Sequence, residues 1–271
     1  MTFSAAAVIE IREVSSPQQL RRCEQLQRAV WDGDDLGVTP VHFFVASVHA
    51  GGLVLGAFEN EEMIGFLNGF PAHRPDNYQP LGLHSDMMAV LPSHRGRGIG
   101  RQLKWRQRAW CLAKDLPWIS WTFDPLQAKN ARLNLEYLGA TVREYAINRY
   151  GPLDGPLNAG LPTDRLVAHW NLTSARVQRL ARGEPLGLVD VSALPCALGA
   201  DEGKPQAPQL ELDAPQLTVT VPTDLNGLLK NNLPLALSWR ERVRMALRYY
   251  LIRGYEIRRF VDNYLILVKL K

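Results

Sequence analysis

Cysteine is scarce. Cys23, Cys111 and Cys196 are the only three in 271 residues, an odd number without metal-ligand spacing, and they read as reduced thiols. An excess of one charge is also lacking. Lys and Arg total 31 against 27 Asp and Glu, so the net charge is +4. That suits a small polyanionic ligand and falls well short of what nucleic acid would demand. No apolar run approaches the length of a membrane span. The opening MTFSAAAVIEIREV has no basic segment ahead of its apolar stretch and is soon broken by Glu10 and Arg12, so it does not read as a signal peptide. Short tandem repeats are missing too. What remains, 46% hydrophobic and 21% charged, is the composition of an ordinary soluble globular chain with room for one large or two modest domains. The cytoplasm is its expected location.

What is present is a stretch that the rest can be arranged around, Leu83–Lys114. It reads as a buried strand, a glycine-rich turn (Arg-Gly-Arg-Gly-Ile-Gly over 95–100) and a basic amphipathic helix. Such a turn aims several backbone N–H groups at one spot, at the positive end of a helix, which is a ready site for phosphate or pyrophosphate. Glycine suits it because a Cβ obstructs close backbone approach and positive φ. On the helix Ile99, Leu103 and Trp110 share one face, while Arg97, Arg101, Lys104, Arg108 and Lys114 supply positive charge.

Before the turn, Val8–Val14 alternates as a half-buried strand does. Ser16-Pro17 sets an N-cap and first helical position, and Leu20, Cys23, Leu26 and Val30 give the helix an apolar face. Pro40–Ala50 is a second short helix. Leu53–Phe58 and Met63–Phe70 form a hairpin around Glu59–Glu62. After the basic helix, Trp118–Phe123 is a strand, so strand, helix and strand make a parallel crossover. Asp124-Pro125 opens another helix whose Ala131, Leu135 and Leu138 face inward until Gly139 ends it. Thr141–Tyr150 and Arg165–Leu172 are two further strands. Residues 183–215, rich in proline and glycine, read as a long connection. Leu217–Val221 is again a strand, Pro222–Asn231 and Leu235–Arg253 are helices, and Glu256–Val261 with Tyr264–Leu270 closes as a hairpin. The stripe Arg240, Arg244, Arg248 alternates with Glu241 and faces away from Trp239 and Val243; it reads as a solvated face rather than a nucleic-acid surface.

Val90-Leu91-Pro92-x-x-Arg95-Gly96-Arg97-Gly98-Ile99-Gly100 resembles the central motif of the GNAT acyltransferases, Arg/Gln-x-x-Gly-x-Gly/Ala after a strand. The element order around it is similar to theirs. LHSDMMAV, WTFDPLQAKNARLNLEYLGA, NRYG and LPTDR together are similar to a subfamily of GNAT proteins known chiefly as predicted acetyltransferases. The resemblance covers Val8 to Leu172. It implies an α/β (α+β) fold, with a mixed, mostly antiparallel central sheet flanked by helices. The expected organisation is a GNAT domain over 1–172, a Pro/Gly-rich linker over 173–215 and a C-terminal α+β extension over 216–271. In that extension, Tyr250-x-x-x-Gly254-Tyr255 before two strands resembles the end of a GNAT segment, so the tail is either a degenerate half-unit or a plain addition to the sheet.

The resemblance implies acetyl-CoA as co-substrate and no metal. The amides of Arg97, Gly98, Ile99, Gly100 and Arg101 would cradle the pyrophosphate, Arg95, Gly96 and Arg97 completing the turn and its charge. Backbone groups of Met88, Ala89 and Val90 would pair with the pantetheine arm, with an N–H donor for the thioester carbonyl near Val90. Asn130 matches the family's helix asparagine. A base that frees the amine nucleophile is expected on the motif strand; His84 falls at that position, and Asp86, two residues on, shares its face. The family's acid, a tyrosine four residues before the helix-ending glycine, is replaced by Leu135. Of Tyr137, Tyr145 and Tyr150, none sits at the family position; Tyr145 is the candidate, the alternative being a thiolate that leaves unprotonated. The reaction implied is acyl transfer to an amine of a small molecule or peptide, with a non-catalytic acyl-CoA-binding or sensing module as the alternative. Homodimerisation is left open. Trp31, the Asp32–Asp35 cluster, the Pro71–Pro80 loop and the loop after Tyr150 would rim the acceptor pocket by analogy with the fold.

Overall fold

The computed structural model describes residues 8–31, 37–73, 81–151 and 160–270. The Asp32–Asp35 cluster, most of the Pro71–Pro80 loop and the loop after Tyr150 lie outside them. Two compact units make up the chain, Met1–Ile119 and Ser120–Lys271.

In the first unit, strands β1 (Glu10–Glu13), β2 (Leu53–Glu59), β3 (Glu62–Ala72) and β4 (Gly82–Val90) lie side by side in chain order, each antiparallel to the next. Helix α1 (Pro17–Trp31) starts where Ser16 places it: Ser16 Oγ accepts from Gln19 N at 3.3 Å. Its Leu20, Cys23 and Leu26 pack with Phe44 of α2 (Val41–His49) against Val54, Phe58, Phe66 and Ala89 of the sheet. The β2–β3 turn places Asn60 and Glu61 both at positive φ, the geometry that continues a hairpin's twist. Helix α3 (Ile99–Leu112) packs on the same four strands.

The α3 stripe is wider than the spacing of Ile99, Leu103 and Trp110 suggests, because it includes Lys104, Gln107 and Cys111. Lys104 is a correction. Expected among the solvated cations, it is 3% exposed, and its ammonium donates to Ser85 Oγ at 2.8 Å and Gln107 Oε1 at 3.1 Å. Burial pushes its pKa down from 10.5 to about 7.

In the second unit the strand order is β5 (Trp118–Phe123), β7 (Arg165–Asn171), β6 (Thr141–Ala146), β12 (Tyr255–Val261), β13 (Tyr264–Lys269), β11 (Gln216–Thr220), β8 (Cys196–Leu198). The helix after β5 begins three residues later than Asp124-Pro125 suggests. Asp124 spends one carboxylate oxygen on Leu126 N (2.8 Å) and the other on an arginine, so helix α4 runs over Ala128–Ala131 and continues as a π-helical turn over Arg132–Tyr137. Trp170 is fully buried and donates to Leu138 O at the end of that turn.

The Pro/Gly-rich stretch carries structure of its own. Helix α5 (Ala175–Ala181), capped by Ser174, precedes β8, which runs parallel to β11; a ribbon of β9 (Ala200–Asp201) and β10 (Lys204–Pro205) follows. Helix α6 (Leu225–Asn231) starts at its Asp224 cap, and α7 (Leu233–Ile252) packs on β6, β8, β11 and β12.

The arginine stripe of α7 is a second correction. Arg240 is 1% exposed and meets Asp124 Oδ2 at 2.5 Å. Arg244 grips Asp164 with two bonds, of 2.7 and 2.9 Å. The buried side of α7 therefore includes Arg240 beside Trp239 and Val243, because two aspartates wait for the arginines there.

Two stability predictions follow from these buried charges. The folded pKa of Lys104 lies below its unfolded value. Between about 7 and 10.5 the unfolded chain therefore binds the extra proton, and stability rises with pH through that window; below it the full penalty applies. Lys104→Met, similar in volume, is expected to flatten that rise in urea titrations at pH 6, 8 and 10; an unchanged slope would refute the assignment. At Asp164, burial alone would raise the pKa, but the bonds from Arg244 and Tyr145 and the Asn148 amide outweigh it and hold it low. Its contribution is present at neutral pH and lost as pH falls through that lowered value. Asp164→Ala, which strands Arg244, is expected to cost about 3 kcal/mol at pH 7 in the same titration.

Candidate functional site

The turn after β4 is built from glycine conformation. Gly96 (φ +81) and Gly98 (φ +76) sit in the left-handed region, and a Cβ at either would meet nothing within 4 Å. The residues are glycines for their backbone angles, and the space they leave stands open. Gly98 is the N-cap of α3 and Gln102 N donates back to its carbonyl, so the helical ladder begins there. The amides of the first helical turn have no acceptor within the helix. At Gly100 a Cβ would come within 3.2 Å of Met88 Cε, the far end of a flexible side chain.

The arginines of the turn are held. Arg95 Nε donates to Val90 O at 3.2 Å, fastening the turn to the end of β4. Arg97 meets Glu59 at 2.6 Å, and the other Glu59 oxygen lies 3.1 Å from His94 Nε2. The Arg97 bond leads in holding the Glu59 carboxyl below its usual range, with His94 adding to it. Glu59 escaped the sequence reading, where it counted only as part of a hairpin connection. Its signal would have been an acid at the end of the strand whose ladder leads to the glycine turn. Ile99 is buried and Arg101 exposed.

β4 itself is irregular. Asn68 pairs with Met87 and Gly69 with Ser85, so Asp86 is the extra residue of a bulge. Asp86 is exposed, yet partial desolvation raises its pKa, with the neighbouring Asn68 amide opposing that rise. His84 is half-buried, its ring 5.4 Å from that of Phe70. Asn68 also lies 3.4 Å from Ser47 Oγ of α2. Behind Ser85 stands Lys104, whose bond to Ser85 Oγ ties the residue before the bulge to α3. Beyond the bulge, Leu91 N donates to Ile64 O. By alternation the N–H of Val90 points away from β3. Met88 and Val90 are half-buried and Ala89 is buried.

In the second unit, Asn130 is exposed in α4. Tyr145 donates its hydroxyl proton to Asp164 at 2.6 Å. Burial, ahead of the neighbouring charges, pushes its pKa far up. Tyr150 bonds through its hydroxyl to Thr122 at 2.7 Å. Asp124, Asp164, Arg240 and Arg244 were missed as a set, since they are scattered over more than a hundred residues of sequence.

Among the described residues, no helix is long and apolar enough to cross a membrane, and no group of His, Cys, Asp and Glu is arranged to hold a metal ion. The profile of the acetyltransferase (GNAT) family matches residues 11–135. No curated protein sequence matches the chain significantly. Among solved structures, an N-acetyltransferase from Staphylococcus aureus Mu50 is 16% identical over 62% of this chain and 100% of its own, with a TM-score of 0.50. NAA60 of Arabidopsis thaliana, solved in complex with acetyl-CoA, is 17% identical over 62% of this chain and 100% of its own, also at 0.50. At such identity the likeness is one of fold. The turn and the bulged strand both fall within residues 11–135, the segment that matches the GNAT acetyltransferase family.

Proposed function

We propose that the protein is an N-acyltransferase that moves an acetyl or other acyl group from acyl-CoA to an amine by direct attack. The observation that carries this is the Gly96/Gly98 turn, with both glycines at positive φ, open space around them and the start of a helix behind. Pyrophosphate fits there, on the amides at the start of α3 and beside the charge of Arg97 and Arg101. To reach a phosphate, Arg97 exchanges Glu59 for it.

The pantetheine arm would run along the edge of β4 that faces away from β3, where Val90 presents its N–H. That donor stabilises the charge that gathers on the thioester oxygen as the amine attacks. The amine nitrogen bonds to the carbonyl carbon, the carbon–sulfur bond breaks, and the proton shed by the nitrogen goes to a base. Asp86 suits the role: a carboxylate with a raised pKa, pushed out of register by the bulge, is a better base than an ordinary one. His84, on the neighbouring position, is the second candidate. The proton of Tyr145 is committed to Asp164, so in this reading the thiolate, whose pKa is moderate, leaves without a phenolic acid.

Calorimetry with CoA and acetyl-CoA tests the donor half. Wild type is expected to bind and Gly98→Glu, which places a carboxylate in the phosphate cradle, to lose at least about tenfold in affinity. Absence of binding by wild type would sink the proposal. A screen of amine acceptors that follows thioester loss tests the catalytic half; failure of every amine with intact CoA binding would leave a binding or sensing module. With an active acceptor in hand, kcat/KM is expected to fall as pH drops through the raised pKa of Asp86. Asp86→Asn should lower kcat by about 10²- to 10⁴-fold and erase that acid limb. If the limb survives in Asp86→Asn, the base is elsewhere, with His84→Gln the next variant to measure.

A further inference from the structure

The second unit contains one hairpin twice. Gly139 (φ +74) and Gly254 (φ +85) each follow a helical segment in the left-handed conformation, and each leads directly into a strand. Counted from those glycines, the chain reads Ala-Thr-Val-Arg-Glu-Tyr-Ala and Tyr-Glu-Ile-Arg-Arg-Phe-Val. Val142 thus matches Ile257, Arg143 matches Arg258 and Tyr145 matches Phe260.

The ladders match as well. Val142 pairs with Ala168 and Glu144 with Val167, leaving Arg143 bulged; Ile257 pairs with Leu267 and Arg259 with Ile266, leaving Arg258 bulged. After the bulge, Tyr145 and Ala146 pair with Leu166 and Arg165, as Phe260 and Val261 pair with Leu265 and Tyr264. A helix, a glycine and a hairpin are common enough to recur by chance. A bulge at the same position in both is a much narrower coincidence.

Sheet order extends the match. β5-β7-β6 on one side of a seam is mirrored by β11-β13-β12 on the other. The seam is the antiparallel pair Val142 with Ile257, the two equivalent residues, as a twofold axis requires of an isologous contact. The two bulged arginines converge there on one acid, for Arg143 Nε reaches Glu256 at 2.7 Å and Arg258 Nε reaches its other oxygen.

We infer that residues 216–270 are a degenerate second copy of the β5–β7 half of this fold, which binds no acyl-CoA of its own and serves as a built-in partner sealing the β6 edge. The region ahead of the copy lacks donor chemistry. Before β5 the chain carries the Arg95–Gly100 turn and basic α3; before β11 it carries the β9–β10 ribbon and a proline-bearing stretch, with no glycine-rich turn. The copy's long helix has another task, since α7 sends Arg240 to Asp124 and Arg244 to Asp164. Without β12, β6 would present a row of open backbone groups, which invites pairing with a second chain. Here the same chain supplies that pairing.

The stoichiometric part of the inference rests on the acyl-CoA reading; the seam does not. Two measurements on the full-length protein separate them. Calorimetry with CoA is expected to show one equivalent per chain in wild type, and in Gly98→Glu binding weakened at least about tenfold with no tight site left. Two equivalents in wild type, or one equivalent of undiminished affinity in Gly98→Glu, would place a working site in the second copy and overturn the inference. Hydrogen exchange of the segments holding Val142 and Ile257 is expected to show slow exchange that is independent of protein concentration. Protection that fades on dilution would mean that β6 is sealed by another chain, and fast exchange at both concentrations would mean that it is not sealed at all; either overturns the inference. If wild type binds no CoA, the proposed function fails and the exchange data still decide the seam.

Discussion

A strand locked into a sheet has little left to offer a ligand, and β4 must offer a good deal. The bulge at Asp86 reconciles the two demands. Pairing with β3 is kept on both sides of it, from Gly69 with Ser85 to Asn68 with Met87, while one acidic residue is pushed out of register. Gly69 is part of the device, because a Cβ there would come within 2.9 Å of His84 O. Lys104 reaches from α3 to Ser85, one residue before the bulge. Since α3 also opens on the Gly96/Gly98 turn, strand irregularity and glycine turn are fastened to one helix. The arrangement costs a buried amine, which is why Lys104 loses so much of its basicity.

The second unit solves a different problem with the same means, charge inside a core. Asp164 is fully buried and accepts from Tyr145, from two nitrogens of Arg244 and from the Asn148 amide. Asp124 serves Arg240 and the Leu126 amide. Removing both partners of such pairs for well-packed apolar residues would cost little, whereas removing one strands the other. The pairs therefore act mainly as registry devices. They specify where α7 must lie before its Trp239, Val243 and Leu247 can fill the core.

Most elements were readable from local chemistry. Ser16-Pro17 started α1, Asn60-Glu61 turned the first hairpin, and the glycines of 95–100 stood where a helix begins. The misreadings share a physical cause. Lys104, Arg240 and Arg244 were placed on solvated faces because helical periodicity records what a residue is, and their burial depends on partners distant in sequence: Ser85, Asp124, Asp164. The late start of α4 has the same origin, because Asp124 is claimed by Arg240. Residues 183–215 looked like plain connection from their prolines and glycines, yet β8 needs only three residues and a neighbour such as β11 to form. The glycine turn was legible because it is local. The likeness of the last hairpin to the earlier one was legible only as Tyr250-x-x-x-Gly254-Tyr255 before two strands, since the two hairpins agree in bulge position and pairing far more than in residue identity.

Lys104 has one further consequence. Most surface lysines are protonated at neutral pH and so poor nucleophiles, but always within reach of a reagent. Lys104 inverts both properties: near pH 7 much of it is the free amine, and almost none of it is accessible. An amine-reactive reagent should therefore leave it untouched while the first unit is closed and label it promptly once α3 lifts from β4. The slow appearance of label at that one side chain would time the opening of the unit that carries the glycine turn, with the protein supplying its own probe.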